Sequence, residues 1–197
     1  MTATLEHARK WETRNWEIKR LRDIYGVGEK WTDWLDFGAG IGTFTVLYAY
    51  EPNMEHFEFL KKKGFNVVEK LRYFKYIYAI DVLEHIEKDV EILCQLRLNC
   101  DRLFLYVPAR QETFSKFDKS EGHYRRYSKE ELTKKVEWAG FKVLVCKYHD
   151  PIGYLGAWVN KLWGYSARKA LFYDKFILSF SLQLPVPIGK SLYLVGE

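Results

Sequence analysis

Short apolar runs alternate with stretches of helical periodicity along most of the chain. Apolar runs rich in aliphatic and aromatic residues predict strands at about 33–37, 46–50, 65–69, 76–81, 102–108, 141–148 and 190–197. Stretches with an apolar residue at every third or fourth position predict helices at about 4–25, 54–63, 87–98 and 129–139. Strands that alternate with helices indicate an α/β fold with a mostly parallel sheet.

Local signals mark the ends of several elements. Ser128 and Glu131 form a capping box ahead of the helix at 129–139, and Gly140 follows that helix as a C′ glycine. The polar segment 109–121 follows Pro108, and we predict a mobile loop there. Loops at the carboxyl edge of such a sheet usually bind substrate.

Aromatic and basic residues are mixed in the segment 151–185, before the last predicted strand. Trp158, Trp163, Phe172 and Phe176 lie close to several lysines and arginines. One interpretation is a helical cap over a substrate cleft, and another is a helix lying in a membrane interface, where Trp, Lys and Arg are favoured. We favour the cap, because the chain still returns to the sheet at about 190–197.

Composition limits the class of protein without identifying it. The chain has 197 residues, of which 48% are hydrophobic and 29% charged, as expected for one globular domain. The net charge of +5 is spread along the chain, so an anionic partner is permitted but not required. The three cysteines form no metal-binding spacing, and no signal peptide or long apolar span is apparent. We therefore expect a cytoplasmic protein.

The segment 34–42 reads W-L-D-F-G-A-G-I-G, an apolar run followed by three glycines at alternate positions. Glycines at this spacing after a strand indicate a βα turn whose backbone reaches positive φ and can lie directly against a ligand. An ordinary glycine turn is the alternative, because a G-x-G-x-G pattern alone has low specificity.

Three later stretches make the glycine segment more specific. They are Y-A-Y-E-P-N at 48–53, A-I-D-V-L-E-H-I at 79–86 and G-H-Y-R-R-Y-S-K-E-E-L at 122–132. Together with the glycine segment they resemble the class I S-adenosylmethionine (SAM) dependent methyltransferases, in the branch often labelled methyltransferase type 11. The resemblance runs from about Trp16 to Glu197.

The resemblance implies a Rossmann-like, doubly wound, mostly parallel sheet with an antiparallel last strand and a helical cap inserted before that strand. One methyltransferase-like domain would then span 1–197. Its parts would be an N-terminal helix at 1–28, the core at 29–150, the cap at 151–185 and the last strand at 186–197. The N-terminal helix would either pack near the cofactor or only cover the sheet.

The resemblance also implies SAM as the cofactor and assigns residues to it. Glu51, at the end of the second strand, would accept the ribose hydroxyls. The cofactor-binding residues implied are Asp36, Gly38, Ala39, Gly40, Glu51, Pro52, Ile80, Asp81 and Val82. The segment 70–74 lacks the acid that often contacts the adenine in this family, so we assign no adenine contact.

Two histidines are candidate catalytic residues. By resemblance His85 faces the reaction cleft, and His123 suits a general base because an unperturbed histidine has a pKa of about 6.5. A structural role is the alternative for each. His123 with Arg125 or Arg126 would bind an anionic or hydroxyl-bearing substrate, or else Arg126 and Tyr127 anchor the loop. The histidines and acids show no metal-ligand spacing, so we expect no metal.

The link between the first two strands is shorter than in the family. Nine positions separate Gly42 from Glu51, whereas the acid usually follows the glycines by about 20 residues. No crossover helix fits in this link. We therefore expect either a break between Gly42 and Val46, where residues are missing, or an exposed sheet face covered by the N-terminal helix or a partner chain.

The leading hypothesis is a SAM-dependent methyltransferase that acts on an oxygen or nitrogen of a small-molecule or lipid-like acceptor. An RNA methyltransferase is the second hypothesis, but the chain has no N-P-P-Y-like tetrad and no proline–cysteine nucleophile. A non-catalytic binding protein of the same fold is the third, supported by the short link. Nucleic acid is not the expected partner, peripheral membrane contact is left open, and no oligomeric state is predicted.

Overall fold

The chain folds around a mixed sheet with helices on both faces. The computed structural model describes residues 12–26, 30–163 and 187–197. The strands are β1 (Trp34–Phe37), β2 (Tyr48–Tyr50), β3 (Asn66–Val68), β4 (Phe74–Ile80), β5 (Cys100–Pro108), β6 (Val143–His149) and β7 (Ser191–Gly196). The helices are α1 (Glu12–Tyr25), α2 (Met54–Lys62), α3 (Asp89–Arg97), α4 (Lys116–Glu121), α5 (Lys129–Trp138) and α6 (Pro151–Trp163).

The seven strands of the described residues are ordered β3-β2-β1-β4-β5-β7-β6. Strands β1 to β5 are parallel to one another, and β7 runs antiparallel between β5 and β6. The α/β, mostly parallel, doubly wound sheet with an antiparallel last strand is therefore confirmed. The carboxyl ends of β1, β2, β4 and β5 lie at one edge, which we call the carboxyl edge.

One face of the sheet carries a layer of large aromatic side chains covered by α1. The layer contains Trp34, Tyr76, Tyr78, Phe104 and Tyr106, each nearly or fully buried. Helix α1 contributes Ile18 and Leu21 to it, and burying one such aliphatic side chain stabilises the fold by about 1.5–3 kcal/mol. The buried hydroxyl of Tyr76 donates to the Arg22 carbonyl at 2.9 Å, so burial leaves this polar group paired.

The opposite face is aliphatic and is covered by α3 and α5. Leu35, Ile77 and Leu103 lie on this face of three neighbouring strands, with their register given by strand pairing. Leu93 and Leu96 of α3 and Leu132 and Val136 of α5 close it. Alternation along the strands thus separates the aromatic layer from the aliphatic layer.

The link from β1 to β2 contains no helix, as expected from its length. The chain is described without a break from 30 to 163. The expectation that residues are missing between Gly42 and Val46 stays a prediction, which the intact mass of the protein tests. Phe44 and Val46 of the link pack against the aromatic layer, and the Arg22 guanidinium donates to the Phe44 carbonyl. The expected covering by the N-terminal helix is confirmed.

The link from β3 to β4, residues 69–73, is also short and without a helix. Leu71 packs against the aliphatic layer. The Arg72 guanidinium lies 4.2 Å from the Phe74 ring and 5.2 Å from the Tyr48 ring. Leu71 and Arg72 therefore cover the sheet here, where the β2–β3 and β4–β5 connections place a helix.

Two segments after β4 and β5 differ from the sequence predictions. The segment 109–121 is not an open loop, because a 3-10 turn (Gln111–Thr113) and α4 fold within it around a buried Asp118. The helix predicted at 87–98 is α3, which begins at Asp89, and a separate 3-10 turn (Leu83–His85) precedes it. Helix α6 is the described part of the predicted cap; residues 164–186, like 1–11 of the predicted first helix, lie outside the described residues. No helix in the described ranges is both long enough and apolar enough to cross a bilayer.

Candidate functional site

The glycine segment forms a turn at the carboxyl end of β1. Gly38, Gly40 and Gly42 have φ of 75°, 55° and 79°, in the left-handed region that favours glycine. A Cβ on Gly38 would lie 2.7 Å from both γ-carbons of Val82, and one on Gly42 would lie 2.8 Å from Leu60. A Cβ on Gly40 would meet nothing within 4 Å. Packing thus requires glycine at two of the positions, whereas at Gly40 the backbone faces open space.

Glu51 follows β2 directly and is fixed beside Gly40. Its Oε2 accepts a hydrogen bond from the Gly40 amide at 2.7 Å, and its Oε1 accepts one from the Asn53 amide at 2.9 Å. A carboxylate offers about four acceptor positions, so two remain for a ligand. Pro52, the next residue, is exposed. The structure therefore brings together Gly40 and Glu51, which the sequence analysis assigned to one site.

Asp36 lies beneath the glycine turn, on the aromatic face of the sheet. Its side chain is 3% exposed, and burial raises the pKa of Asp36 to about 7. Thr45 of the β1–β2 link donates its hydroxyl to Oδ2 at 2.7 Å. Asp36 thus holds the short link in place from below the turn.

The residues after β4 form the neighbouring wall of the same edge. Ile80 is buried, and Val82 packs against Gly38. Asp81 has a φ of 55°, and its amide donates to the Tyr106 carbonyl at 2.9 Å. Through Val82, the segment that follows β4 therefore lies next to the glycine turn.

Helix α1 reaches this edge through Arg14. The Arg14 guanidinium donates to both carboxylate oxygens of Asp81, at 2.9 Å and 2.6 Å, and lies 5.2 Å from the Tyr106 ring. The helix therefore both covers the sheet and contacts the candidate site, so the two roles considered for it are compatible. Arg14 was missed in the sequence analysis because charges on an amphipathic helix usually face solvent.

His85 and His123 lie against each other at the far side of the edge. Their ring centroids are 4.5 Å apart with an interplanar angle of 87°. The His123 Nδ1 is 3.1 Å from Asp118 Oδ1. Partial desolvation of its ring, and then the neighbouring His123, lowers the pKa of His85. The two candidate catalytic residues, from separate parts of the chain, thus form one pair.

Glu84 lies beside the two histidines and was not assigned a role from the sequence. It is fully buried, and neither carboxylate oxygen has a hydrogen-bond partner among the described residues. One ligand atom from each of Glu84, His85 and His123 lies within 4.8 Å of the others. Chain spacing could not show this group, because His123 joins it from a distant segment. The expectation that the chain has no metal ligands rested only on the spacing of histidines and acids along the sequence.

Arg126 and Tyr127 anchor the segment that carries His123, residues 122–127, to the body of the protein. We call it the histidine segment. Arg126 donates to Asp118 at 2.7 Å and to the Thr113 hydroxyl at 3.1 Å. Although burial favours the neutral acid, hydrogen bonds from His123 and Arg126 hold the pKa of Asp118 below its ordinary value. The Tyr127 hydroxyl donates to the Leu83 carbonyl at 3.1 Å.

Arg125 is engaged in the same way as Arg126. Its guanidinium lies 2.7 Å from Asp89 Oδ2 and also donates to the Glu87 carbonyl at 2.7 Å. Of the two alternatives from the sequence, the structure therefore supports anchoring of the loop by Arg126 and Tyr127. Arg125 and Arg126 already have carboxylate partners within the protein.

Helix α6 begins beside the histidine segment. The Asp150 side chain accepts the Gly153 amide at 2.8 Å, which caps the helix. The Tyr154 hydroxyl donates to Glu112 at 3.3 Å, and the Arg110 guanidinium lies 4.3 Å from the Tyr148 ring. The described start of the predicted cap is thus attached to the 3-10 turn at the carboxyl edge.

The chain is similar to several solved methyltransferase structures. A SAM-dependent methyltransferase from Archaeoglobus fulgidus aligns with a TM-score of 0.63 at 15% identity, covering 98% of this chain and 99% of that chain. A methyltransferase in complex with an activator from Haloferax volcanii gives a TM-score of 0.64 at 12% identity, covering 98% and 94%. The chain has the fold of the class I SAM-dependent methyltransferases.

A third similar structure with the methyltransferase fold is magnesium protoporphyrin IX methyltransferase from Synechocystis, with bound S-adenosylhomocysteine. Its TM-score is 0.60 at 10% identity, covering 98% of this chain and 87% of that chain. No protein-family model and no curated protein matches the sequence. At these identities the similarity shows the methyltransferase fold, and the chemistry must be argued from this chain's own residues.

Proposed function

We propose that this chain is a SAM-dependent methyltransferase that transfers a methyl group to an oxygen or nitrogen of a small-molecule or lipid-like acceptor. The observation that carries the proposal is the pairing of Gly40 with Glu51. The turn backbone at Gly40 faces open space, and the adjacent carboxylate keeps two acceptor positions. A ribose with two neighbouring hydroxyls fits such an acid at the end of β2.

The remaining cofactor-binding residues follow from their position at the same edge. Gly38, Ala39 and Gly40 would lie along the methionine part of SAM, with Ile80, Asp81 and Val82 on the other side. Asp36 and Pro52 would support the turn and flank the ribose acid. When bound, SAM supplies an activated methyl group on a sulfonium, so the protein mainly has to orient the two reactants.

The acceptor would bind on the histidine side of the edge, below the start of α6. Because the His123 Nδ1 is bound to Asp118, its Nε2 is the atom that would accept a proton from an acceptor hydroxyl or amine. His85 lies in contact with His123 and would help to position it. If His123 is the base, His123→Ala lowers turnover about 100-fold with cofactor binding intact.

The compartment is inferred from the cysteines. Cys94, Cys100 and Cys146 are unpaired in the structure, and Cys100 and Cys146 are buried. Free buried thiols are in keeping with a reducing compartment. This supports a cytoplasmic location.

Calorimetric titration with SAM and S-adenosylhomocysteine tests the proposal. We expect micromolar binding to the full chain. Glu51→Ala should weaken it by about 1–3 kcal/mol, the scale of losing hydrogen bonds to a charged group. Glu58→Ala is the matched control, since Glu58 is an exposed acid on the nearby helix α2.

The outcomes separate the competing functions. Equal affinities in Glu51→Ala and Glu58→Ala would remove Glu51 from the site. No binding of either compound to the unaltered chain would reject the enzyme and favour a non-catalytic protein with this fold. The short β1–β2 link provides no helix N-terminus beneath a cofactor. For this reason a non-catalytic protein with this fold is the main alternative.

A further inference from the structure

A buried carboxylate without a partner lies next to two histidine rings at the carboxyl edge. Glu84 is 0% exposed, and both of its side-chain oxygens lack a hydrogen-bond partner within the described ranges. Burying a charged group without compensation costs several kcal/mol. Protonation would remove the charge but would leave the new hydroxyl without an acceptor. A bound cation satisfies both oxygens.

The nearest arginines do not supply that cation. Arg14 is paired with Asp81 at 2.6 Å, and Arg126 is paired with Asp118 at 2.7 Å. Each guanidinium is therefore directed at a different carboxylate. The groups that do face Glu84 are the imidazoles of His85 and His123, with one ligand atom of each of the three residues within 4.8 Å of the others.

Asp118 orients one of these imidazoles in the way that metal sites require. Its Oδ1 lies 3.1 Å from His123 Nδ1, and Asp118 is itself held by Arg126. A carboxylate on one ring nitrogen fixes the tautomer and leaves the other nitrogen free to bind a metal. The carboxylate–histidine pair is thus already formed.

The cluster is reachable from solvent. Glu84 lies at its buried end, His123 is partly exposed and His85 is exposed. An ion can therefore enter past His85 and meet the buried carboxylate last. The β4 strand and the 3-10 turn that follows it place Glu84 and His85, and the anchored segment after α4 places His123.

We propose that Glu84, His85 and His123 form a binding site for a divalent transition metal of the Zn²⁺ type. Two imidazole nitrogens and one carboxylate suit zinc and its neighbours, whereas Mg²⁺ prefers an all-oxygen set. Three protein ligands leave a coordination position for water, the pattern of zinc sites that take part in chemistry. An acceptor oxygen would take that position only if the proposed methyltransferase activity is correct. With a metal ion on His123 Nε2 that nitrogen has no lone pair left for a proton, so the metal site and the base role of His123 exclude each other. The metal test below does not depend on the methyltransferase activity.

Metal binding to the full chain, without a histidine tag and after treatment with a chelator, tests the site. Calorimetric titration with Zn²⁺ should show one ion per chain with micromolar or tighter affinity, and the visible spectrum of added Co²⁺ should report nitrogen ligands. Glu84→Gln, His85→Ala and His123→Ala should each weaken Zn²⁺ binding about 10-fold or more. His56→Ala is the control, because this histidine lies on α2 away from the cluster.

Thermal unfolding separates lost binding from lost folding. Without metal, Glu84→Gln should fold and be about as stable as the unaltered chain, since each of the two side chains leaves buried polar atoms without a partner. Zn²⁺ should raise the melting temperature of the unaltered chain and of His56→Ala by more than that of Glu84→Gln. Absence of Zn²⁺ binding, binding unchanged in the three cluster variants, or equally tight binding of Mg²⁺ would each overturn the proposal.

Discussion

The two sides of the carboxyl edge are stabilised by different kinds of contact. On the glycine side, residues 38–53, the Gly38 and Ala39 amides donate to the Tyr50 carbonyl, at 2.8 Å and 3.2 Å, and Gly40 donates to Glu51. On the histidine side, residues 81–89 and 109–127, buried side chains form the contacts, above all Arg126 with Asp118. The turn on the glycine side is held mainly through its own backbone amides. A segment that presents side chains needs other side chains beneath it.

The largest expected effect is on the histidine side. Arg126→Ala should destabilise the protein by about 3–5 kcal/mol, because it leaves Asp118 buried without its ion pair. Arg125→Ala is the control and should cost clearly less, since its guanidinium is 22% exposed and Asp89 keeps an ion pair with Lys135 at 2.7 Å. Urea unfolding measures both. Equal losses of unfolding free energy in the two variants would mean that the deeper burial of the Arg126–Asp118 pair adds nothing to stability.

The next effect, on the glycine side, depends on pH. Burial raises the pKa of Asp36 to about 7, above the value of about 3.9 in an unfolded chain. The stability that this acid contributes is therefore complete below about pH 4 and is lost as the pH rises towards 7. Asp36→Asn should remove this loss, so the variant gains about 2–4 kcal/mol relative to the unaltered chain between pH 4 and pH 8.

Unfolding free energies at several pH values check the Asp36 prediction. Asp23→Asn is a control, because that acid lies on α1 and is half-exposed. A difference between Asp36→Asn and the unaltered chain that stays constant from pH 4 to pH 8 would show that Asp36 does not titrate in this range.

The smallest effect is expected within the glycine turn itself. Gly40→Ala should cost only about 1–2 kcal/mol of stability, the cost of a side chain in the left-handed region, because space beside it is open. Gly38→Ala should cost more, since its Cβ would also collide with Val82. If Gly40→Ala were the more damaging of the two in chemical unfolding, the proposed open side of the turn would be wrong.

Most of the fold could be predicted from sequence because it depends on local patterns. Alternating apolar runs placed the strands within about two residues, and the glycine spacing identified the turn. The Glu84 cluster could not be predicted in this way, because it depends on the packing of the 111–127 segment against the turn after β4. Asp118 and Thr113 were predicted to lie in a loop. A polar side chain is usually buried only where a partner satisfies it, and the sequence does not show that partner.

The contact between Arg14 and Asp81 shows a second limit of sequence reading. The amphipathic pattern of α1 located its buried face through Ile18 and Leu21. It gave no means of telling which of the many charged residues would meet a partner from another element. Such pairs are set by where a helix end lies on the sheet, and single-chain patterns do not contain that information.

The position of β7 has a consequence for how the protein is made. During synthesis β5 and β6 are complete before β7, yet β6 pairs with no other described strand. Until β7 arrives, the apolar edge of β5 and the whole of β6 lack their hydrogen-bonding partner. Exposed strand edges pair readily with other chains. A nascent chain stalled before residue 191 should therefore be the form most dependent on chaperones and most prone to aggregate.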